Sequence, residues 1–316
     1  MTALKKFSRG AVGGAIGVII LLFLLFPQRY SQSLLSGISL WAACVLPVAF
    51  PFMFFTALFS RTAAFRAISR LLSPVSGGLF RISGTGGAIC AMSALSGYPV
   101  GARLVSEYAR TAKDKSETFR LAVLCSVSGP SFLVGSLGGR MFCDPAAGWI
   151  ALFSHLMGVW LVCLLFRQRS AAPKAPPVGT AGNPPLADHV MQSVLSVLCV
   201  GGFIALFSVL LQMLSDLRVF SFLTEPFRDG APIAEAFLCG LLEMTSGCAR
   251  LAQSPSPLSL ALCVFLVTLG GACVLAQQFA YLSGAGVRFL PFLAVKTAQA
   301  ALAALIAWAL ALLCGF

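Results

Sequence analysis

The sequence predicts an all-α polytopic membrane protein, with about seven spanning helices and two re-entrant segments arranged as transporter-like inverted-topology repeats. Three observations carry this. Of 316 residues, 58% are hydrophobic and 10% charged, against about 25% charged in an ordinary soluble domain. Apolar runs such as 38–59, 147–166 and 291–314 approach or exceed the roughly 20 residues that cross a bilayer. The Lys and Arg residues fall mostly in short loops between those runs, as the positive-inside rule requires. The net charge of +12 therefore reports topology and excludes a nucleic-acid partner. The expected partners are the lipid bilayer and a small anionic solute, with a homo-oligomer left open.

Taken in order, residues 1–37 form an N-terminal span and loop. Lys5, Lys6 and Arg9 precede the apolar run 11–26, as in a signal peptide. Pro27-Gln28-Arg29-Tyr30 follows instead of a small-residue cleavage site, so the run reads as an uncleaved span with a cytoplasmic N-terminus. Residues 38–169 form a first membrane repeat, with apolar segments 38–59, 84–102, 121–138 and 148–166. Residues 170–190 form a cytoplasmic linker holding Pro173, Pro176, Pro177, Pro184 and Pro185, a flexible or extended composition. Residues 191–316 form a second repeat, with segments 193–214, 233–252, 259–280 and 291–314.

Charge tests whether every segment crosses. If all do, 12 of the 22 Lys and Arg lie inside. If 84–102 and 233–252 dip in and return, 17 lie inside, leaving Arg29, Arg140, Arg218, Arg228 and Arg250 outside. The second arrangement obeys the positive-inside rule better. The charge argument is strong for 84–102. For 233–252 the re-entrant reading rests on symmetry, because each half then reads as span, re-entrant segment, span, span. Three crossings separate the two halves, so the second is inverted. Ser96-Gly97 with Gly101-Ala102-Arg103-Leu104 also resembles Ser246-Gly247-Cys248-Ala249-Arg250-Leu251.

Four groups of residues can carry chemistry. In 94–103, Gly97, Pro99 and Gly101 interrupt a helix beside Ser96, Tyr98 and Arg103. Broken backbone at membrane depth is tolerated only against protein or a wet cavity. A helix restarting near Pro99 aims its free N–H groups and positive end at an anion. In 125–132, Gly129-Pro130 breaks a span beside Ser126, Ser128 and Ser131. A packing kink is the competing explanation for both. In 240–247, Glu243 is an acid in an apolar run followed by Thr245, Ser246 and Gly247. Such an acid is costly and marks a coupling or substrate role, with Glu235 on the same face about two turns earlier. The alternative is a structural ion pair, for instance with Lys296. The fourth group is His155, Gln277, Gln278, Lys296 and Gln299. His155 faces the bundle as a proton relay or a carbonyl partner. Lys296 is expected to snorkel to the cytoplasmic surface, and the glutamines to bond between helices.

The 11 cysteines are scattered without a C-x-x-C pair, and there are two histidines. Neither a zinc site nor a disulfide framework is indicated. No Walker A pattern is present, so ATP-driven transport is not indicated. The G-x-S-G signature of intramembrane serine hydrolases is also absent. An enzyme is therefore not expected, nor a cofactor beyond a coupling proton or sodium ion.

The motifs SGYPVGARL (96–104), CSVSGPSFLVGSLG (125–138) and GLLEMTSG (240–247), in this order and spacing, resemble the YlbJ family of sporulation integral membrane proteins. That family is grouped with the nucleoside-recognition (Gate) domain membrane proteins, and the resemblance covers roughly 40–315. It implies transport of dipicolinic acid during spore formation, in the bacterial cytoplasmic or outer forespore membrane. Ser96, Gly97, Pro99, Gly101, Ser128, Gly129, Pro130 and Glu243 match its motif positions. The chain departs from the pattern at Arg103 and at Val127-Ser128. A nucleoside carrier and a non-transporting scaffold for a sporulation complex are the alternatives.

Overall fold

A computed structural model describes residues 2–112, 114–165 and 185–316, and all regular structure among them is helical. The expected linker at 170–190 lies outside the described residues except for 185–190, where a helix begins. Helix α1 (Thr2–Leu25) meets α2 (Pro27–Leu40) at a bend of 108°. Pro27 explains the corner, since a ring without an N–H suits the first turn of a new helix and not the interior of an old one. A π-helical turn (Trp41–Val45) carries α2 into α3 (Leu46–Phe59). Gly37 packs on Ala205 and Ser208, and Gly201 lies under the Trp41 indole. Gly37 lets two backbones approach as in membrane helix pairs, and Gly201 leaves room for the indole ring.

The basic segment expected as a loop contains α4 (Ala63–Leu79), capped where Thr62 Oγ1 accepts the Phe65 N–H at 3.2 Å. It buries Phe65, Ser69 and Ser76 while exposing Arg66 and Arg70 on one side and Ile68, Leu71 and Val75 on another. Its apolar residues are gathered on one side and interrupted along the chain by Arg66, Ser69, Arg70 and Ser73, so no continuous apolar run marks it as a span.

Helices α5 (Gly84–Ser96) and α6 (Val100–Ala109) pack together across a three-residue turn. Glu117 holds the open end of this hairpin. It is buried, and its carboxylate accepts the Ser83 N–H and the Tyr108 hydroxyl, both at 2.6 Å. Then come α7 (Lys115–Cys125), an unwound stretch at 126–129, a π-helical stretch (Ser131–Phe142) and α8 (Pro145–Leu165).

The second half runs through α9 (Leu186–Asp216), α10 (Val219–Thr224), a 3-10 turn (Glu225–Gly230), α11 (Ala231–Leu242) and α12 (Met244–Leu251). It closes with α13 (Pro257–Leu269), α14 (Gly271–Leu282) and α15 (Phe289–Leu313). Ser256 starts α13 with a reciprocal capping box to Ser259, satisfying two otherwise orphaned donors.

Among the described residues, four helices are long and apolar enough to cross a bilayer: 145–165, 186–216, α13 with α14 (257–282), and 289–313. Counting the bent α1–α2 pair as one span gives five. The expectation of about seven spans differs because several apolar segments are cut into pieces too short to cross alone. One order of elements occurs twice: a helical hairpin, a broken helix, a straight helix. It is α5/α6, α7 with the π stretch, then α8, and again α11/α12, α13/α14, then α15.

The two halves have no separate cores. One cluster of buried side chains joins Met53, Ile89 and Leu121 to Val200, Leu282 and Phe292. The other joins Leu133 and Ala151 to Leu260, Leu266 and Ala307. Where α8 crosses α15, Gly158 sits against Ala303, a small-residue contact of the kind that brings membrane helices together.

Candidate functional site

The site is assembled from four breaks in the helices. At the first, the Gly97 N–H still donates to the Ser93 carbonyl at 2.8 Å. Its own backbone then turns to φ 76°, ψ −167°, a conformation open to glycine and closed to L side chains. A Cβ on Gly97 would lie 2.5 Å from the Gly129 nitrogen. The tip of the first hairpin therefore rests directly on the second break.

The second break is the unwound stretch 126–129. Loose backbone groups buried from water must find partners, and here side chains of both halves supply them. Lys296 Nζ donates to the Ser126 carbonyl at 2.7 Å, and Gln299 Nε2 to the Val123 carbonyl at 3.2 Å. The Ser128 N–H donates to His155 Nε2 at 3.0 Å. An N–H can only donate, so Nε2 is the unprotonated nitrogen. The ring proton then sits on Nδ1, 2.8 Å from Thr268 Oγ1. His155 is a neutral brace between α8, the second break and α13. Lys296 is fully buried and does not snorkel, because the Ser126 carbonyl offers it a partner at depth.

At the third break, Glu243 separates α11 from α12. It is 3% exposed, and its carboxylate accepts the Thr245 N–H at 3.0 Å and the Ser246 N–H at 2.7 Å. The acid caps a helix N-terminus, where its charge meets the positive end of the dipole; no ion pair with Lys296 forms. Gly247 packs onto Gly240, closing the second hairpin as tightly as two backbones allow.

The fourth break went unrecognised in the sequence. Gly270 and Gly271 adopt φ 95° and 59° in the middle of 257–282, and Gly271 abuts the Gly240 carbonyl. The adjacent glycines in an apolar run were the available signal. Each hairpin thus touches the broken helix that follows it, and the Tyr98 hydroxyl donates to the Val267 carbonyl at 2.8 Å, tying the first hairpin tip to the last turn before the fourth break.

The first three breaks border one cavity of about 330 Å³, and α14 lines it from Cys273, just beyond the fourth. Ser96, Gly97 and Tyr98 line it from the first hairpin, and Ser128, Gly129 and Ser131 from the second break. Glu243 and Thr245 line it from the second hairpin, and Cys273, Val274 and Gln277 from α14. Val200 and Ile204 of α9 and Pro47 and Ala49 of α3 form an apolar side. The π stretch and α14 both start beside this space without a side-chain cap, so the positive ends of two helices lie near it. Ser96 Oγ is buried with no hydrogen-bond partner among the described residues.

Other residues singled out in the sequence lie elsewhere. Pro99 ends the tip as the N-cap of α6, and Gly101 packs against the Cys125 carbonyl. Arg103 is buried but turned toward Glu107 at 3.1 Å and Ser196 at 3.5 Å. Pro130 is the N-cap of the π stretch. Ser246 and Gly247 serve through backbone, as described. Glu235 pairs with Arg250 at 3.7 Å beside a different hollow. In the opposite direction, Ser136 and Arg140 line the cavity, although the sequence reading left both out. With Phe132 they recur every four residues along one helical face, the signal that could have found them. Among the described residues no group of three or more His, Cys, Asp or Glu could hold a metal.

The class defined by these features is a polytopic all-helical membrane protein whose interrupted helices enclose a cavity at their breaks. Within that class, the chain is similar to the sporulation integral membrane protein YlbJ of Bacillus subtilis (strain 168), with 29% identity over 313 residues, spanning 88% of this chain and 76% of the relative. No protein-family model matches the chain, and no solved structure matches it.

Proposed function

We propose that the protein is a secondary transporter of a small organic anion and that the cavity at the four breaks is its binding site. The observation that carries this reading is the meeting of three interruptions around one space, with the fourth two residues from its wall at Cys273. Interrupted backbone is costly in a membrane, and a packing kink needs only one. The starts of the π stretch and of α14, both without a side-chain cap, favour an anion by dipole. Arg140 adds a cation on the wall, and Ser96, Ser128 and Ser131 add hydroxyls. Glu243 is engaged at the second hairpin tip, where protonation would release its hold on two N–H groups, a route for coupling to a proton.

Dipicolinic acid is the proposed cargo, from the family resemblance together with the fit of a planar dianion between two helix N-termini. The setting would be the bacterial cytoplasmic membrane or the outer forespore membrane, with the N-terminus cytoplasmic. A second reading is a nucleoside, favoured by the Tyr98 and Phe132 rings and the Gln277 amide on the wall, which suit a neutral heterocycle. Proteoliposomes holding the purified chain should take up labelled dipicolinate saturably, with unlabelled nucleosides failing to compete. Uptake no faster than in empty vesicles would overturn the proposal, and strong competition by nucleosides would transfer it to the second reading.

A further inference from the structure

A second and larger cavity, about 560 Å³, opens beside the N-termini of α7 and α15. Its charged lining consists of Lys115, Arg120 and Arg288, with Ser116 beside them and no acidic residue. Arg288 is the N-cap of α15, which has no side-chain cap hydrogen bond, so another positive helix end faces the same space. Asp114, which caps α7 and lies 3.7 Å from Arg120, is outside the lining. Lys115 and Arg288 are exposed, and neither has an ion pair among the described residues. A concave site with one sign of charge concentrates ions of the other.

The inner end of this cavity reaches Val123, Cys163 and Val295. Gln299 Nε2 bonds to both the Val123 carbonyl and Cys163 Sγ, at 3.2 and 3.3 Å. One turn before Gln299, Lys296 holds the Ser126 carbonyl, and two residues further along, Ser128 lines the cavity at the breaks. Residues 123–128 are therefore a wall shared by the two cavities, held from α15 by two fully buried polar side chains.

We propose that this second cavity is an anion-collecting vestibule for carboxylate-bearing solutes, on the Lys- and Arg-rich face, and that Gln299 and Lys296 form the closed gate between it and the cavity at the breaks. The vestibule's role in transport rests on the function proposed above; its anion selectivity does not. The wall opens when 123–128 gives up the two bonds to α15, and an arriving carboxylate is a competing acceptor for Lys296 Nζ.

The test separates the two claims. Full-length protein carrying Ser116→Cys is treated in liposomes with anionic and cationic methanethiosulfonate reagents of matched size, and labelling at position 116 is read by mass spectrometry. The anionic reagent should react roughly tenfold faster, the ratio should fall to near unity in Lys115→Gln/Arg288→Gln, and millimolar dipicolinate should protect. Equal rates for the two reagents, or a ratio that survives the double substitution, would overturn the vestibule. In uptake measurements the same double variant should raise KM several-fold with the maximal rate retained. A lowered maximal rate at unchanged KM would also overturn it. A selective vestibule in a protein that takes up no organic anion would leave the site standing and remove the transport reading.

Discussion

Substituting Gly97 by alanine asks whether the first hairpin tip must touch the second break. Two costs follow from the structure. The backbone at φ 76°, ψ −167° lies in a region essentially reserved for glycine, and forcing an L residue into it costs roughly 1–3 kcal/mol. The added methyl would sit 2.5 Å from the Gly129 nitrogen, about 1 Å inside ordinary contact. The obstacle is backbone, so it cannot rotate away. Relieving the overlap means displacing the tip or the 126–129 stretch, an overpacking cost of roughly 1–3 kcal/mol. The combined effect is roughly 2–4 kcal/mol, if part of one strain relaxes the other. Gly135→Ala is the matched control, because Gly135 borders the same cavity with nothing within 4 Å of a new Cβ. Purified variants would be compared by thermal unfolding in detergent and by dipicolinate uptake in proteoliposomes. Gly97→Ala should lower the unfolding temperature by several degrees and remove most uptake, while Gly135→Ala keeps its stability. A Gly97→Ala protein as stable and as active as the parent would refute the tip-on-break geometry.

Further outcomes follow from the same structure. Gly271→Ala, the counterpart in the second half, should be milder than Gly97→Ala, since φ 59° is the left-handed region that costs an L residue roughly 1–2 kcal/mol and the new Cβ would meet the Gly240 carbonyl at 2.8 Å, a shallower overlap than the 2.5 Å at Gly97; paired unfolding curves check the order. Glu243→Gln keeps an acceptor but loses the charge on two N–H groups, costing about 1–2 kcal/mol of hairpin stability, and it should flatten the pH dependence of uptake if Glu243 is the coupling group. Lys296→Met strands the Ser126 carbonyl, and a loss of about 1–3 kcal/mol is expected, whereas a snorkelling lysine would be replaced with no effect on unfolding. Tyr98→Phe removes only the hydroxyl bonded to Val267 and should cost about 0.5–1.5 kcal/mol, read as faster hydrogen exchange at 97–99.

Membrane class, helical content and two of the four interruptions at the site were readable directly from the chain. Composition sets the solvent, and lipid leaves the backbone few choices. The breaks at 97–99 and 126–130 announced themselves because Gly-x-Pro and Gly-Pro have no regular-helix use. Glu243 stood out because an acid in an apolar run demands a partner. What no local pattern carries is which partner. Lys296 could reach the surface or the Ser126 carbonyl; Arg103 could face a cavity or Glu107; His155 could relay a proton or brace the Ser128 N–H. Those choices lie between atoms more than 25 positions apart, except for the neighbouring Arg103 and Glu107. The cavity itself is a product of the packing of two halves whose cores interlock. Periodicity and charge act over one helix turn or one loop, and so they fix what each segment is. Burial and backbone satisfaction act across the assembled bundle, and only they decide which breaks meet and which charges are left to face a solute.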